Sequence, residues 1–273
     1  MLKKIIYIVG SPRSGSSLIY NAVCSNELFN IAMPENHLVT NFTNSFFKQY
    51  QRNTQIEENY FFDSLEDTKF YFKDCLKKFF VKIADKYKVN NLVLKSITLA
   101  PNINILNIIY PEITYIMTIR DPRDIIASMI NVGIKQKNLN MENQFPENIE
   151  LLCNKINQSY RLFLDNHQKK FLSNNVHTIK YENFVNNPGE ELNKMLQKFT
   201  IETQYDKDFN IWKRSSGVYL KSNNKIDNPY KSKLWNQPLN NSRINFYKNF
   251  LSNKQIDQIN NYCKKILKIF NYI

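Results

Sequence analysis

The chain has 273 residues, 42% of them hydrophobic and 14% aromatic, which is enough apolar material for a packed core and excludes disorder as a description of the whole. Its 37 basic and 24 acidic residues leave a net charge of +13, which suits an anionic ligand, nucleic acid or an acidic membrane surface, or a lysine-rich solvated exterior. Cysteines 24, 75, 153 and 263 form no CxxC pair, and His37, His167 and His177 are scattered, so neither a disulfide framework nor a zinc site is indicated.

Residues 3–9 are a β-branched run ending at Gly10, the pattern of a buried parallel strand. The run is too short for a membrane span or a secretory signal, so a cytoplasmic protein is expected. A loop, Ser11 to Gly15, leads into a helix from about 16 to 25. Helices are predicted over 38–50 and 66–89, with a polar connection at 51–59. Residues 92–95 and 113–119 read as further strands, with a helix near 101–109 between them. Asp121 and Pro122 open the next helix, a cap followed by proline at the first helical position. One long helix is predicted over 147–171, then a strand over Val176–Lys180. The C-terminal third reads as helical, with an irregular segment near 214–238. No internal repeat or low-complexity linker divides the chain, so one domain over 1–273 is expected.

Strands alternating with helices predict an α/β fold, a P-loop-like parallel sheet of about four to five strands flanked by helices, with helical insertions and a helical C-terminus. Ligands of such sheets bind beyond the carboxyl ends of the strands. Those ends carry Pro12-Arg13-Ser14-Gly15-Ser16-Ser17, Lys95-Ser96 and Arg120-Asp121. Each supplies a cation beside a hydroxyl or carboxylate, so several positive charges are expected on one edge.

The first loop joins a strand to a helix, and its backbone N–H groups can cradle an anion. It has the glycine spacing of a nucleotide P-loop, but Ser16 stands where the P-loop lysine belongs. The alternative is a Gly/Ser turn without a ligand. Pro12 to Ser17 resembles the 5′-phosphosulfate-binding loop of sulfotransferases that use 3′-phosphoadenosine-5′-phosphosulfate (PAPS), in the arginine-containing form of the tyrosylprotein, carbohydrate and bacterial branches. The resemblance implies that Arg13 and the loop amides bind the 5′-phosphosulfate, with hydroxyl hydrogen bonds from Ser16 and Ser17.

Arg120 to Asp124, with Ser128 eight residues after Arg120, is similar to the family's 3′-phosphate element. A phosphate over the first helical turns can meet an arginine fork and a serine hydroxyl together. Asp121 reads as a helix cap, and the alternative for Arg120 is an ion pair with Asp121 or Asp124. Tyr181-Glu182-Asn183-Phe184-Val185, leading to Pro188, resembles the family's Tyr-Glu-Asp-Leu segment, whose tyrosine lines the nucleotide. Ser215-Ser216-Gly217 and Lys231 to Trp235 are faintly similar to its last cofactor segment. The resemblance runs from Gly10 to about Phe199.

Sulfuryl transfer is an in-line displacement that needs cations at the leaving oxygen and a base for the acceptor proton. Arg13 and Lys95 are expected to stabilise charge; Lys95-Ser96 resembles a Lys-Asp/Ser element of the same branches, and a surface-directed strand-end lysine is the alternative. Glu35 is the expected base, by its distance from the first helix in the arginine-loop branches, with His37 second; Glu35 also reads as a plain loop carboxylate. No metal is expected. PAPS, giving the product 3′,5′-adenosine bisphosphate (PAP), is the expected cofactor, and the acceptor is a small molecule, carbohydrate or peptide bound by the helices at 38–90 and 130–170. Competing functions are a P-loop kinase or NTPase, disfavoured by Ser16, and a basic binder of anions or nucleic acid, which would leave three cationic strand ends unexplained. The aromatics Phe46, Phe47, Tyr50, Tyr60, Phe61 and Phe62 suit a stacking surface or, better by their helical spacing, core packing.

Overall fold

The computed structural model describes residues 2–52, 62–206, 209–212, 214, 228–230 and 237–273. Four strands, β1 (Lys4–Gly10), β2 (Asn91–Lys95), β3 (Ile113–Ile119) and β4 (Val176–Lys180), form one sheet in the order β2-β1-β3-β4. All three pairings are parallel, with Ile8 opposite Lys95, Gly10 opposite Thr118 and Ile119 opposite Lys180. The carboxyl ends of β1, β2 and β3 therefore lie side by side.

The continuous apolar runs are explained by burial on both faces. Ile5, Tyr7 and Val9 point to one side and Ile6 and Ile8 to the other, following the two-residue period of a strand. On the first side they meet α2 (Leu38–Arg52), α3 (Leu65–Tyr87), α4 (Ile103–Ile109), α5 (Pro122–Asn138) and α6 (Ile149–Ser159). On the second they meet α1 (Ser16–Cys24) and, beyond β4, α8 (Tyr181–Asn186) and α9 (Pro188–Lys198). Aromatics knit the α2–α3 layer: Phe46 and Phe72 meet edge to face at 5.4 Å, and Tyr7 reaches Phe80 at 6.3 Å. Phe46 is fully buried and Phe47 packs against the same core, so these two are core residues. Phe62 leans on Tyr71, while the side chain of Tyr50, and Tyr60 and Phe61, lie outside the described residues.

Three expectations are corrected. The helix over 147–171 is broken: α6 ends at Ser159, short 3-10 turns follow at Arg161–Leu164 and Asn166–Gln168, and α7 begins at Lys169 and ends at Asn175. The break comes from Tyr160, fully buried, whose Oη donates to Thr118 O at 2.9 Å while its ring meets Phe270. Asp165 then accepts from the His167 N–H, opening the second 3-10 turn. The helix near 101–109 is shortened to α4, its first two expected residues belonging instead to a 3-10 turn, Ile97–Asn102, that holds Pro101. In the C-terminal third the helical run is interrupted: after α9 the described residues form turns, irregular backbone and a 3-10 turn at Phe246–Asn249 before helix resumes in α10 (Asn253–Tyr262) and α11 (Lys264–Ile269). No helix among the described residues is long and apolar enough to cross a membrane.

His177, in β4, has its ring edge against Phe199 and an Nε2 atom buried without a partner. Burial, followed by the charges of Lys198 and Lys194, holds its pKa down at about 4, below the ordinary 6.5. The folded state thus favours the neutral ring. That contribution is fully present above pH 6.5 and is lost as pH falls toward 4. Stability is expected to drop by about 2 kcal/mol across this window on account of His177, allowing for its partial exposure. Urea unfolding at pH 7 and pH 4.5 tests this: His177→Leu should flatten the acid slope, and an unchanged slope would remove His177 as its source.

Candidate active site

The loop after β1 is held by two glycines and an inward serine. Gly10 sits at φ 151°, where a Cβ would lie 2.2 Å from Thr118 Oγ1, and Gly15 sits at φ 92°, where it would lie 2.5 Å from Tyr181 Cδ2. Ser14 Oγ donates to Ser11 O at 2.7 Å and touches Thr118 Oγ1 at 2.6 Å, so this side chain ties the loop to β3. Arg13, between them, adopts a left-handed φ of 69°. Gly15 precedes α1 and supplies no side-chain cap. The first amides of α1 therefore present the positive end of the helix at the loop, beside Pro12, Ser16 and Ser17.

At the next strand end, Lys95 Nζ donates to Ser17 Oγ at 3.2 Å and to Glu35 Oε2 at 3.1 Å. Glu35 Oε1 accepts from the Ile97 N–H at 2.6 Å. Both side chains are mostly buried, at 9% exposure for Lys95 and 19% for Glu35. Glu35 is thus gripped at both oxygens, and one lysine bridges it to the β1–α1 loop. His37 stands on the exposed rim, its Nδ1 3.4 Å from Thr98 Oγ1, in a hydroxyl cluster with Thr40 and Ser96.

The third strand end carries the most buried charge. Asp121 caps α5 by accepting from the Arg123 N–H at 2.8 Å, and the Arg123 guanidinium grips the same carboxylate. Arg120 is 5% exposed. Its Nη1 donates to Arg13 O at 3.1 Å, its Nη2 to Arg243 O at 2.6 Å, and its guanidinium stacks on the Tyr181 ring at 4.4 Å. Asp124 approaches to 3.9 Å, but its oxygens already accept from the Asn245 and Tyr247 amides. Burial raises the Asp124 carboxyl above its usual range, against the pull of Arg120. The Nε of Arg120 is buried with no partner. Ser128 accepts from Arg13 Nε at 3.1 Å, and Arg13 Nη1 reaches Tyr230 O at 3.3 Å. Burial, with the charges of Arg120 and Arg243 added, pushes the Arg13 pKa down to about 10.

Arg13, Ser128, Arg120 and Tyr181 thus converge, as do Ser17, Lys95 and Glu35, and the loop joins the two groups. Ser215, Ser216 and Lys231 to Trp235 lie outside the described residues. Sequence reasoning missed Arg243, whose guanidinium stacks on Phe246 at 4.6 Å and whose charge reaches Arg13 and Tyr181. It also missed Tyr230, whose carbonyl accepts from Arg13. Neither lies in a motif, so no spacing signal marked them. Among the described residues no group of three or more His, Cys, Asp or Glu is placed to hold a metal ion. An open depression of about 480 Å³ between Lys3, Lys88 and Glu202 lies at the opposite end of the strands, away from these groups.

A model of the sulfotransferase family matches residues 6–205, a span that holds all three strand ends, and the chain belongs to that family. Its chemistry accordingly falls among sulfuryl transfers. The fold is similar to the sulfotransferase domain of the Synechococcus PCC 7002 olefin synthase, at TM-score 0.56 and 16% identity over 96% of this chain and 95% of that one. It is also similar to the sulfotransferase domain from the curacin biosynthetic pathway, at TM-score 0.58 and 18% identity over 97% and 98%. Sulfotransferase STF9 from Mycobacterium avium follows at 0.54 and 12%, over 98% of this chain and 77% of that one. At such identities these likenesses concern the fold. No curated protein matches the sequence.

Gly15→Ala is expected to cost about 1–3 kcal/mol, from the strained φ and the clash with Tyr181. A melting curve beside that of wild type checks the loss, and an unchanged midpoint would show that Tyr181 gives way freely.

Proposed function

We propose that the protein transfers a sulfuryl group from PAPS to an acceptor hydroxyl or amine by in-line displacement. One observation carries this reading: a guanidinium at the end of β3 is buried with an unpartnered Nε, beside a second arginine and an uncapped helix N-terminus. Such a site is deficient in negative charge and suits a ligand with two separated anionic groups. PAPS, when bound, supplies the sulfuryl group together with a phosphate leaving group.

The α1 amides, Pro12, Ser16, Ser17 and Arg13 would hold the 5′-phosphosulfate. Arg120, Ser128 and Tyr181 would hold the 3′-phosphate, and Ser215 and Ser216 are proposed to lie against the nucleotide. Binding would exchange the carbonyl partners that Arg13 and Arg120 now use, those of Tyr230 and Arg243, for phosphate oxygens. Lys95 stands between the loop and Glu35, so it serves both halves of the reaction: it steadies negative charge growing beside Ser17 and orients the Glu35 carboxylate. Glu35, fixed by Lys95 and the Ile97 amide, takes the proton of the acceptor, and His37 lines the entrance. The acceptor class left open by these residues is a small molecule, carbohydrate or peptide.

Thermal unfolding with PAP, with magnesium ATP, or with neither tests the cofactor. PAP at about 100 times its dissociation constant should add about 2.7 kcal/mol of stability, and Arg120→Ala should abolish the gain. Stabilisation by magnesium ATP alone would replace this reading with a kinase. Once an acceptor is found, Glu35→Gln should lower turnover by about 10²–10⁴-fold while PAP binding stays intact. Full activity in that variant would sink the assignment of the base.

A further inference from the structure

Arg120 is held from two sides by consecutive residues. The ring of Tyr181 lies against its guanidinium, and Glu182 Oε1 accepts from the N–H of Asp121 at 3.0 Å. That N–H belongs to the peptide unit whose carbonyl is Arg120's own, so the bond sets the plane from which the arginine side chain departs. The other carboxylate oxygen of Glu182 accepts from Tyr272 Oη at 2.8 Å. Tyr272 comes from the turn after α11, where Asn271 takes a left-handed φ of 55° and the Tyr272 N–H closes onto Leu267 O at 2.8 Å. Its carbonyl accepts from Arg123 Nη2 at 3.3 Å, and Lys180 lies 4.9 Å over its ring. Burial, with the Glu182 carboxylate added, pushes the Tyr272 hydroxyl up, so it remains a donor.

We propose that Tyr272, acting through Glu182, is a positioning residue that orients Arg120 toward the 3′-phosphate of the nucleotide. With both oxygens occupied, Glu182 has one orientation, and the Arg120–Asp121 peptide inherits it. Without the hydroxyl, the carboxylate turns toward solvent or toward Lys180, and the arginine loses its fixed origin. The inference rests on the proposed function, specifically on Arg120 as the partner of the 3′-phosphate.

The test compares two ligands that differ only in that phosphate, PAP and 5′-AMP, by calorimetric titration of wild type, Tyr272→Phe, Glu182→Gln and Arg120→Ala. Tyr272→Phe keeps the ring over Lys180 and the carbonyl to Arg123, and removes the one hydrogen bond. It should weaken PAP about tenfold while 5′-AMP changes by less than about twofold, and Glu182→Gln should follow it. A general loosening of the fold would weaken both ligands together and lower the ligand-free melting point, which would overturn the proposal. Unchanged PAP affinity in Tyr272→Phe and Glu182→Gln, with Arg120→Ala still selectively impaired for PAP, would overturn it while leaving the proposed function standing. If wild type showed no preference for PAP over 5′-AMP, or if Arg120→Ala weakened both equally, the 3′-phosphate role of Arg120 would fall and the positioning role with it.

Discussion

The charge on Arg120 organises the site. A guanidinium remains protonated in a protein, and taking one out of water costs several kcal/mol even after relaxation. Asp124 offsets little of that, standing at 3.9 Å with both oxygens engaged by the amides of Asn245 and Tyr247. The balance comes from neutral groups: the carbonyls of Arg13 and Arg243 and the face of Tyr181. Hydrogen bonds from a charged donor contribute about 1.5–3 kcal/mol and a desolvated cation–π contact about 2. These partners come from the β1–α1 loop, the segment before α10 and the start of α8, so one poorly neutralised cation fixes three distant pieces of chain.

The two halves of the site differ in electrostatic character. Around Lys95 and Glu35 the charges cancel at 3.1 Å, and the bridging contact to Ser17 is a single hydrogen bond. Around Arg13, Arg120 and Arg243 they accumulate, and the charges of its two neighbours add to burial in lowering the basicity of Arg13. Like charges gathered in a confined space repel, and the repulsion is relieved by an anion. The loop at 10–17 is the seam between the halves. Its left-handed residues, Arg13 and Gly15, turn the arginine side chain one way and the helix amides the other.

What could be read from the sequence follows from how local each signal is. β1, β2 and β3 are largely apolar runs and β4 a short stretch rich in β-branched residues, and Gly10, Gly15 and the cap at Asp121 act through their own backbone, so spacing alone disclosed them. Lys95 and Arg120 were found because parallel strands bring their ends together. The fracture at Tyr160 was hidden, since it arises from a hydroxyl reaching Thr118, 42 residues away in sequence. Arg243 and Tyr272 were hidden for the same reason, as was the contact of Glu182, a residue legible within its motif, with Asp121: each acts on a partner 60 or more residues distant. The pairing of Arg13 with Ser128 also eluded the motif reading, which assigned them to separate phosphates.

The strand order has a consequence for the nascent chain. β1 is made first but lies inside the sheet, and both its hydrogen-bonding neighbours are made much later, β2 from Asn91 and β3 from Ile113. Synthesis runs at roughly 5–20 residues per second, so Ile5 to Val9 wait on the order of 5–20 s for the second edge to be covered. During that interval a largely apolar strand is tethered to the ribosome, with its amides open on both sides until β2 is made and on one side until β3 follows. The segment that later anchors the β1–α1 loop is therefore also an edge open to pairing with other chains before folding, and holding it apart from them is a task for the crowded surroundings of translation.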